Sequence, residues 1–442
     1  MASDLDISRL FEPGAEAALE AYLRLLHPAD LAELFRLTDK SEWPQIAARL
    51  SSEELADALA EMDEAQQSAL GETLHLDHLI RAVDELESDD AADVVASFSE
   101  GKAEAVLEGI EDSDAIRELM AYPEDSAGGI MQTELCRVNE NLAVSDAIDA
   151  LRATRDEISD VQRIYLVDEK QRLKGIVKLE DLVLSGPDMP LAAIKFPVEH
   201  QVFPDVDQEQ VAKIFSRYDL ASLPVVNAEG RLLGRITFDD VHDVIIEEAS
   251  EDILTMAGAP LEDLVYSNRI VRIAMFRLPW LVISLVGTIF VAFLNSRFRT
   301  LSVHALMLMS FVPLVMAMTG NVGAQSAMII TRGLAIGKVE WGALGRTFGR
   351  EVSVAFLLAC IAALVVGPIA ENWHDALPGA GWVVGGSLLA SMALASLAGT
   401  AAPILFKRVG IDPALAAGPL VTTMCDILGV SVYLLMVVIS GI

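Results

Sequence analysis

Hydrophobic positions recur along this chain at three rhythms, and each rhythm predicts a different architecture. From about Asp4 to Gly129 they return every three or four residues with acids between, in LAELF, EELADALAEM, HLIRAVDEL, DDAADVVASF, KAEAVLEGI and AIRELM. That spacing places apolar residues on one helix face. Short helices that cannot bury a face alone stack into a superhelix, and LADAL (55–59) and AADVV (91–95) read as copies within such a stack. Between Cys136 and Ile246 the apolar runs are short and flank turns: IYLVDEKQRLKGIVKLEDL (164–182) aligns with LPVVNAEGRLLGRITFDDV (223–241) at an offset of 59 residues. Each copy reads as strand, turn, strand and helix start, with an amphipathic helix ahead of it (VSDAIDALRAT, EQVAKIFSRYD). From Leu278 onward the runs are long. About 20 apolar residues cover a hydrocarbon core of roughly 30 Å, which predicts five spans at 278–296, 301–330, 352–369, 382–406 and 413–441. The expected fold is multidomain: an all-α superhelical N-terminal domain (1–131), an α/β tandem pair (132–250), a connecting helix (251–277) and an all-α five-helix transmembrane domain (278–442).

Charge divides the chain the same way. Residues 1–268 hold 59 acids against 21 Lys and Arg, whereas residues 269–442 hold 6 against 11, giving the total of −33. So negative a field repels nucleic acid and attracts cations. Cys136, Cys360 and Cys425 form no CxxC pair, which argues against a disulfide framework and a zinc site. His75 and His78, three apart in HLDH beside Asp77, read as surface residues. MASDLDISRLFEPG lacks a basic and then apolar signal pattern, so the acidic part is expected in the cytoplasm. With it there, Arg269, Arg272, Arg277, Arg332, Lys338, Arg346, Arg350, Lys407 and Arg408 fall inside, and Arg297 and Arg299 outside with Glu371 and Asp375. This bias puts the C-terminus outside.

The chemistry concentrates in the last span, where Asp426 sits near the middle. An ionised Asp at that depth costs about 2.5 to 3.5 kcal/mol even on a mild scale, so it should face water, an ion or a partner. Gly418, Pro419, Thr422 and Thr423 precede it with loosened carbonyls and hydroxyls. The second span carries Thr319, Asn321, Gln325 and Ser326 beside Gly320 and Gly323, a face suited to a partner helix or water. The expected pore wall is therefore Asp426 with Asn321, Gln325, Gly418, Thr422 and Thr423. Asp243, Glu247, Glu248, Glu251 and Asp252 crowd the segment joining the soluble and membrane parts.

The two 59-residue copies resemble a pair of CBS domains, modules that associate in pairs and often sense ligands. Nucleotide-binding members carry Ser or Thr ahead of an Asp at the second strand's exit. Thr237 and Asp240 fit that pattern, whereas Lys178 takes the hydroxyl's place ahead of Asp181. The resemblance thus implies candidate ATP contacts in the second copy.

YPEDSAGGIM (122–131), the CBS copies, EEASEDI (247–253), PLVMAMTGNVGAQS (313–326) and GPLVTTMCD (418–426) follow in the order seen in the MgtE family of magnesium transporters, and the chain resembles that family over nearly its whole length. The resemblance implies a homodimeric Mg²⁺-selective channel, with 251–277 as a plug helix and a pore lined by the second and fifth helices of both copies. It implies a bacterial cytoplasmic (inner) membrane protein that needs no other protein partner. It matches Asp426 to the pore carboxylate and Asp240, Asp243, Glu248, Glu251 and Asp252 to acids that bind regulatory Mg²⁺. Asp89, Asp90 and Asp93 on the superhelical domain, with Asp207 and Asp219, complete the regulatory candidates. Thr319 stands where many members have Gly. The function expected is Mg²⁺ import, closed by cytosolic Mg²⁺; the alternative is a CBS-regulated transporter for another divalent cation such as Mn²⁺ or Co²⁺. An anion channel would call for basic residues at the site, and no catalytic triad, P-loop or zinc signature supports an enzyme.

Overall fold

The computed structural model describes residues 11, 14–154, 158, 161–259, 270–297, 307–335, 339, 344–373 and 378–441. Arg269, Arg299, Lys338 and Asp375, used above to orient the chain, lie outside the described residues. The chain forms two compact units, up to Ile245 and from Ile246.

The first unit opens with short helices: α1 (Glu16–Leu23), α2 (Pro28–Leu37), α3 (Trp43–Ala47), α4 (Ser52–Ala60), α5 (Glu64–Thr73), α6 (Leu76–Val83), α7 (Ser88–Ala96), α8 (Glu100–Leu107) and α9 (Ser113–Leu119). Local chemistry sets their starts. Ser51 with Glu54 and Asp63 with Gln66 form capping boxes on α4 and α5, satisfying backbone N–H groups at each first turn. The even-numbered helices α2, α4, α6 and α8 pack in one row and the odd-numbered α3, α5, α7 and α9 in another, which is the superhelix expected from the periodicity.

In the first copy β1 (Arg137–Asn139) pairs in parallel with β2 (Arg163–Val167), which pairs antiparallel with β3 (Leu173–Lys178); in the second, β4 (Ser222–Val226) pairs antiparallel with β5 (Leu232–Thr237). The helices of these copies are α10 (Val144–Ala153), α11 (Leu179–Leu184), α12 (Leu191–Ile194) and α13 (Gln208–Tyr218). The repeated glycine has a packing reason. A Cβ on Gly175 would lie 3.0 Å from the Phe196 carbonyl, and one on Gly234 2.6 Å from that of Gln132. Each glycine lets another segment cross its hairpin, where Phe196 and Ile176, or Gln132 and Arg235, exchange backbone hydrogen bonds. The hairpin tips also meet, because Leu173 N–H donates to Gly230 and Leu232 N–H to Gln171, both at 3.0 Å. Gln171 and Gly230 share a left-handed conformation (φ 61° and 76°), and Asp168 and Asn227 accept backbone N–H bonds at the two turns.

The connecting segment differs from the expectation of one helix over 251–277. Phe238 starts α14 directly at the exit of β5, and α14 runs to Met256, so the acids from Asp239 to Asp252 ride on one helix. Gly258 then turns the chain with φ 64°. Residues 260–269 lie outside the described set, and 270–277 are already the first turns of α15 (Ile270–Arg297).

Among the described residues five helices are long and apolar enough to cross a membrane: α15, Met309–Ala335, Leu344–Trp373, Ala380–Val409 and Ala414–Ser440. Their regular portions are α16 (Val312–Ala335), α17 (Leu344–Trp373), α18 (Ala380–Val409), the single turn α19 (Ala414–Ala417) and α20 (Pro419–Ser440). Several overrun the expected spans because hydropathy stops at Arg346, Arg350, Lys407 and Arg408, whereas backbone hydrogen bonding continues; there Lys407 Nζ donates to the Leu334 carbonyl and Arg350 pairs with Glu351, each at 3.2 Å. Helices α16, α18 and α20 pack on one another, α17 covers α18, and α15 lies on α20. Small residues permit this closeness: a Cβ on Gly399 would sit 2.2 Å from the Gly323 carbonyl. Buried hydroxyls pair across the same seam, Thr319 with Ser391 at 3.0 Å and Ser326 with Ser396 at 3.1 Å. The Thr319 hydroxyl is accommodated by Gly429, where a Cβ would approach it to 2.9 Å.

Candidate metal centres

Asp426 lies on α20 one turn beyond Thr422 and beside Gly320 of α16, where an added Cβ would be 3.2 Å from its Oδ1. Glycine there leaves the carboxylate room. Asp426 is half-buried, while Asn321, Gln325 and Thr422 are exposed on the protomer surface. The i, i+4 spacing of 321 with 325 and of 422 with 426 aligns these groups along two adjoining helices. The other expected wall residues are engaged within the chain. Thr423 donates to the Pro419 carbonyl at 2.7 Å and to Ser284 of α15 at 3.2 Å, and its methyl fills the space above Gly287. Gly418, where the chain breaks between α19 and α20, faces the Met256 carbonyl so closely that a Cβ would stand 2.5 Å from it. Cys425 is buried against Gly323.

The second centre is in the first unit. Asp89, only 6% exposed, and Asp90 occupy the first turn of α7 and face Asp240 on α14. Burial, then the charge of Asp240, drives the Asp89 carboxyl well above its usual range. The same causes, joined by Glu87, Asp93 and Asp239, raise Asp90 to about 7. Burial lifts Asp240 to about 6 against the opposing pull of its bond from the Thr237 hydroxyl. Such mutually repelling oxygens, taken out of water, fit a hard divalent cation. Among the described residues no group of three or more ligating side chains closes around a single point. Glu87 and Asp239 were missed from sequence; their signal is the pair of short runs ESDD (87–90) and FDD (238–240) that the fold sets against each other.

The other candidate acids of the CBS pair and the connecting segment lie on α13 and α14. Asp243, Glu248, Glu251 and Asp252 lie on α14, with Asp243 87% exposed at its side chain. Asp207 caps α13, accepting the Glu209 N–H at 2.9 Å, and Asp219 ends the same helix in a left-handed conformation. The 11-residue helix between them spans roughly 16 Å, too far for one ion.

Comparison with known proteins identifies the family of the chain and its domains. The model described as a divalent cation transporter matches residues 312–436, that of the MgtE intracellular N domain 26–125, and that of the CBS domain 127–186 and 199–247. The magnesium transporter MgtE of Thermus thermophilus is 33% identical over 450 residues, covering 97% of this chain and 96% of that protein. The chain belongs to the MgtE family. Its Bacillus subtilis relative of the same name is 28% identical over 411 residues, 92% of this chain and 90% of that one. The solved cytosolic domain of the Mg²⁺ channel MgtE in complex with ATP is 32% identical with a TM-score of 0.52, covering 54% of this chain and 98% of that domain. The soluble part of a magnesium transporter matches at 26% identity and a TM-score of 0.50, over 55% and 98%. The architecture is thus that of an MgtE protein: an N domain of the MgtE intracellular type, a CBS pair and, among the described residues, five helices of membrane-crossing length.

Proposed function

We propose that this MgtE protein conducts Mg²⁺ into the cytoplasm as a homodimer, with one Asp426 from each copy facing a shared pore. The carrying observation is the polar strip of Asn321, Gln325 and Thr422 beside a half-buried Asp426 on helices of membrane-crossing length. Polar amides turned outward in a bilayer are costly unless water or a partner meets them, and a second copy supplies both. Mg²⁺ sheds water reluctantly and is usually held by one or two carboxylates, so two Asp426 side chains suffice where one does not. The printed names of the relatives agree with this cargo.

Regulation belongs to the same proposal. Asp89, Asp90 and Asp240, with Asp93, Asp243, Glu248, Glu251 and Asp252 as further acids, would hold cytosolic Mg²⁺, which neutralises their repulsion and favours the closed state. The N-terminal domains then lie in the cytoplasm and the C-terminus outside, as the charge bias requires. ATP would use the cleft of about 190 Å³ lined by Ser222, Arg235, Thr237 and Asp239. Because Thr237 already engages Asp240 through both its hydroxyl and its N–H, nucleotide and cation would draw on one carboxylate.

The deciding experiment is ion flux into proteoliposomes with Mg²⁺, Mn²⁺, Co²⁺, Ca²⁺ and chloride offered separately. Mg²⁺ flux that vanishes in Asp426→Asn is the expected result. Mn²⁺ or Co²⁺ flux in place of Mg²⁺ makes the chain a transporter for that ion, and undiminished flux in the variant removes Asp426 from the pore.

A further inference from the structure

We propose that Gln132 is a positioning residue for cation sensing, tying Arg235 of β5 to Glu87 and so fixing where α7 presents Asp89 and Asp90 to Asp240. The inference rests on the reading above that these acids respond to Mg²⁺. Gln132 is 1% exposed and Arg235 3%. Arg235 Nε donates to Gln132 Oε1 at 3.1 Å, and Gln132 Nε2 donates to Glu87 Oε2. The Gln132 backbone is held independently by its two hydrogen bonds with Arg235, at 2.8 and 2.9 Å. The amide therefore has no freedom to leave, and its polarity is dictated from both ends: a cation requires its oxygen and a carboxylate its nitrogen.

The next two residues extend the same grip. Thr133 N–H donates to Ser88 Oγ at 2.8 Å, and Ser88 Oγ donates to Glu134 Oε2 at 2.8 Å. Residues 132–134 thus hold Glu87 and Ser88, the N-cap and first residue of α7, while Asp89 and Asp90 follow directly. A helix pinned at its first turn cannot swing its first-turn acids away from Asp240 without breaking these bonds. The link opposes carboxylate repulsion before any ion arrives, and so sets how much cation is needed to complete the contact.

The test uses the full-length protein and four forms: wild type, Gln132→Leu, Gln132→Glu, and the double variant Gln132→Glu/Glu87→Gln, in which carboxylate and amide trade places. Losing a buried, charge-assisted link should raise the Mg²⁺ concentration that half-protects the soluble part from proteolysis by about tenfold in Gln132→Leu. Gln132→Glu should move it at least as far, because two carboxylates then face each other. The exchanged pair should return it to within roughly twofold of wild type, which a merely space-filling role would not do. Amide hydrogen exchange without divalent ions supplies the independent arm: Thr133 N–H should exchange faster in both single variants and recover in the double. Wild-type midpoints in both single variants, no recovery in the exchanged pair, or unchanged Thr133 exchange would each overturn the assignment. A wild type whose proteolysis ignores Mg²⁺, with Thr133 exchange responding as stated, would instead remove the sensing function and leave the positioning link standing.

Discussion

Asp426 stands as one carboxylate among hydroxyls, glycines and outward-facing amides, whereas Asp89, Asp90 and Asp240 are crowded with Glu87, Asp93 and Asp239. Under the proposed function the same hard cation would do opposite things at the two places. A conducting site must release its ion, so few direct oxygens and much retained water are an advantage. A sensing site must move a conformational equilibrium. One ion at about ten times its dissociation constant contributes roughly 1.4 kcal/mol, while driving a switch from 1:99 to 99:1 takes about 5.5 kcal/mol. Several acids acting together can meet that demand, and their repulsion without metal supplies the restoring force.

The contrast is broken most directly by exchanging charge for amide at each centre. Asp426→Asn should lower Mg²⁺ flux at least about tenfold, a loss of 1.4 kcal/mol or more of ion stabilisation, while the protein still inserts and purifies as wild type; flux assays in proteoliposomes report it. The combined change of Asp240, Asp243 and Asp252 to Asn with Glu248 and Glu251 to Gln should do the reverse. Patch recordings should then show conduction intact but closure by internal Mg²⁺ abolished, and proteolysis of the soluble part should no longer respond to Mg²⁺. Normal closure in that variant would defeat the sensing role.

A proton can sharpen the comparison by standing in for metal at the crowded centre. Asp90 near 7 and Asp240 near 6 lie above the ordinary carboxylate value of about 4. Raised folded-state values mean that the packed arrangement binds protons more tightly than the separated one. Its stability is full below about pH 4 and declines as pH rises through 6 to 7. Without divalent ions, proteolysis of the soluble part should accordingly be slower at pH 5.5 than at pH 8, and the difference should shrink in Asp90→Asn. The smallest effect belongs to an acid with a different occupation. Asp207→Ala should cost about 1 kcal/mol through the lost α13 cap and leave the Mg²⁺ midpoint where it was, as denaturant titration and protection assays would show.

What could be read from sequence follows the range of the interactions involved. The 59-residue repeat, the five crossings and the isolation of Asp426 are patterns within a few turns of chain, and they were legible. Asp240 was matched through family resemblance and Asp89 named beside it as a further regulatory candidate, but their facing each other was not legible, because nothing local to ESDD or FDD says that they meet. Gln132 was not singled out at all: its partners lie 45 and 103 residues away, and a lone amide has no spacing to betray it. The contacts of Thr423 with Ser284 and of Gly418 with Met256 were equally out of reach, because they join Asp426's neighbours in sequence to α15 and the end of α14. The boundary expected at 250/251 falls inside α14, because no Gly or Pro divides Phe238 from Met256.

The meeting of the two hairpin tips has a historical consequence. Gln171 and Gly230, and Leu173 and Leu232, are each 59 residues apart, so the bond from Leu173 to Gly230 and that from Leu232 to Gln171 are the same contact made twice with the roles exchanged. That reciprocity is what a two-fold axis produces between identical molecules. A single copy could have recognised itself through this contact before the two were joined in one chain. Once joined, the copies were no longer obliged to match, and a Lys at 178 could stand where its counterpart keeps a Thr at 237.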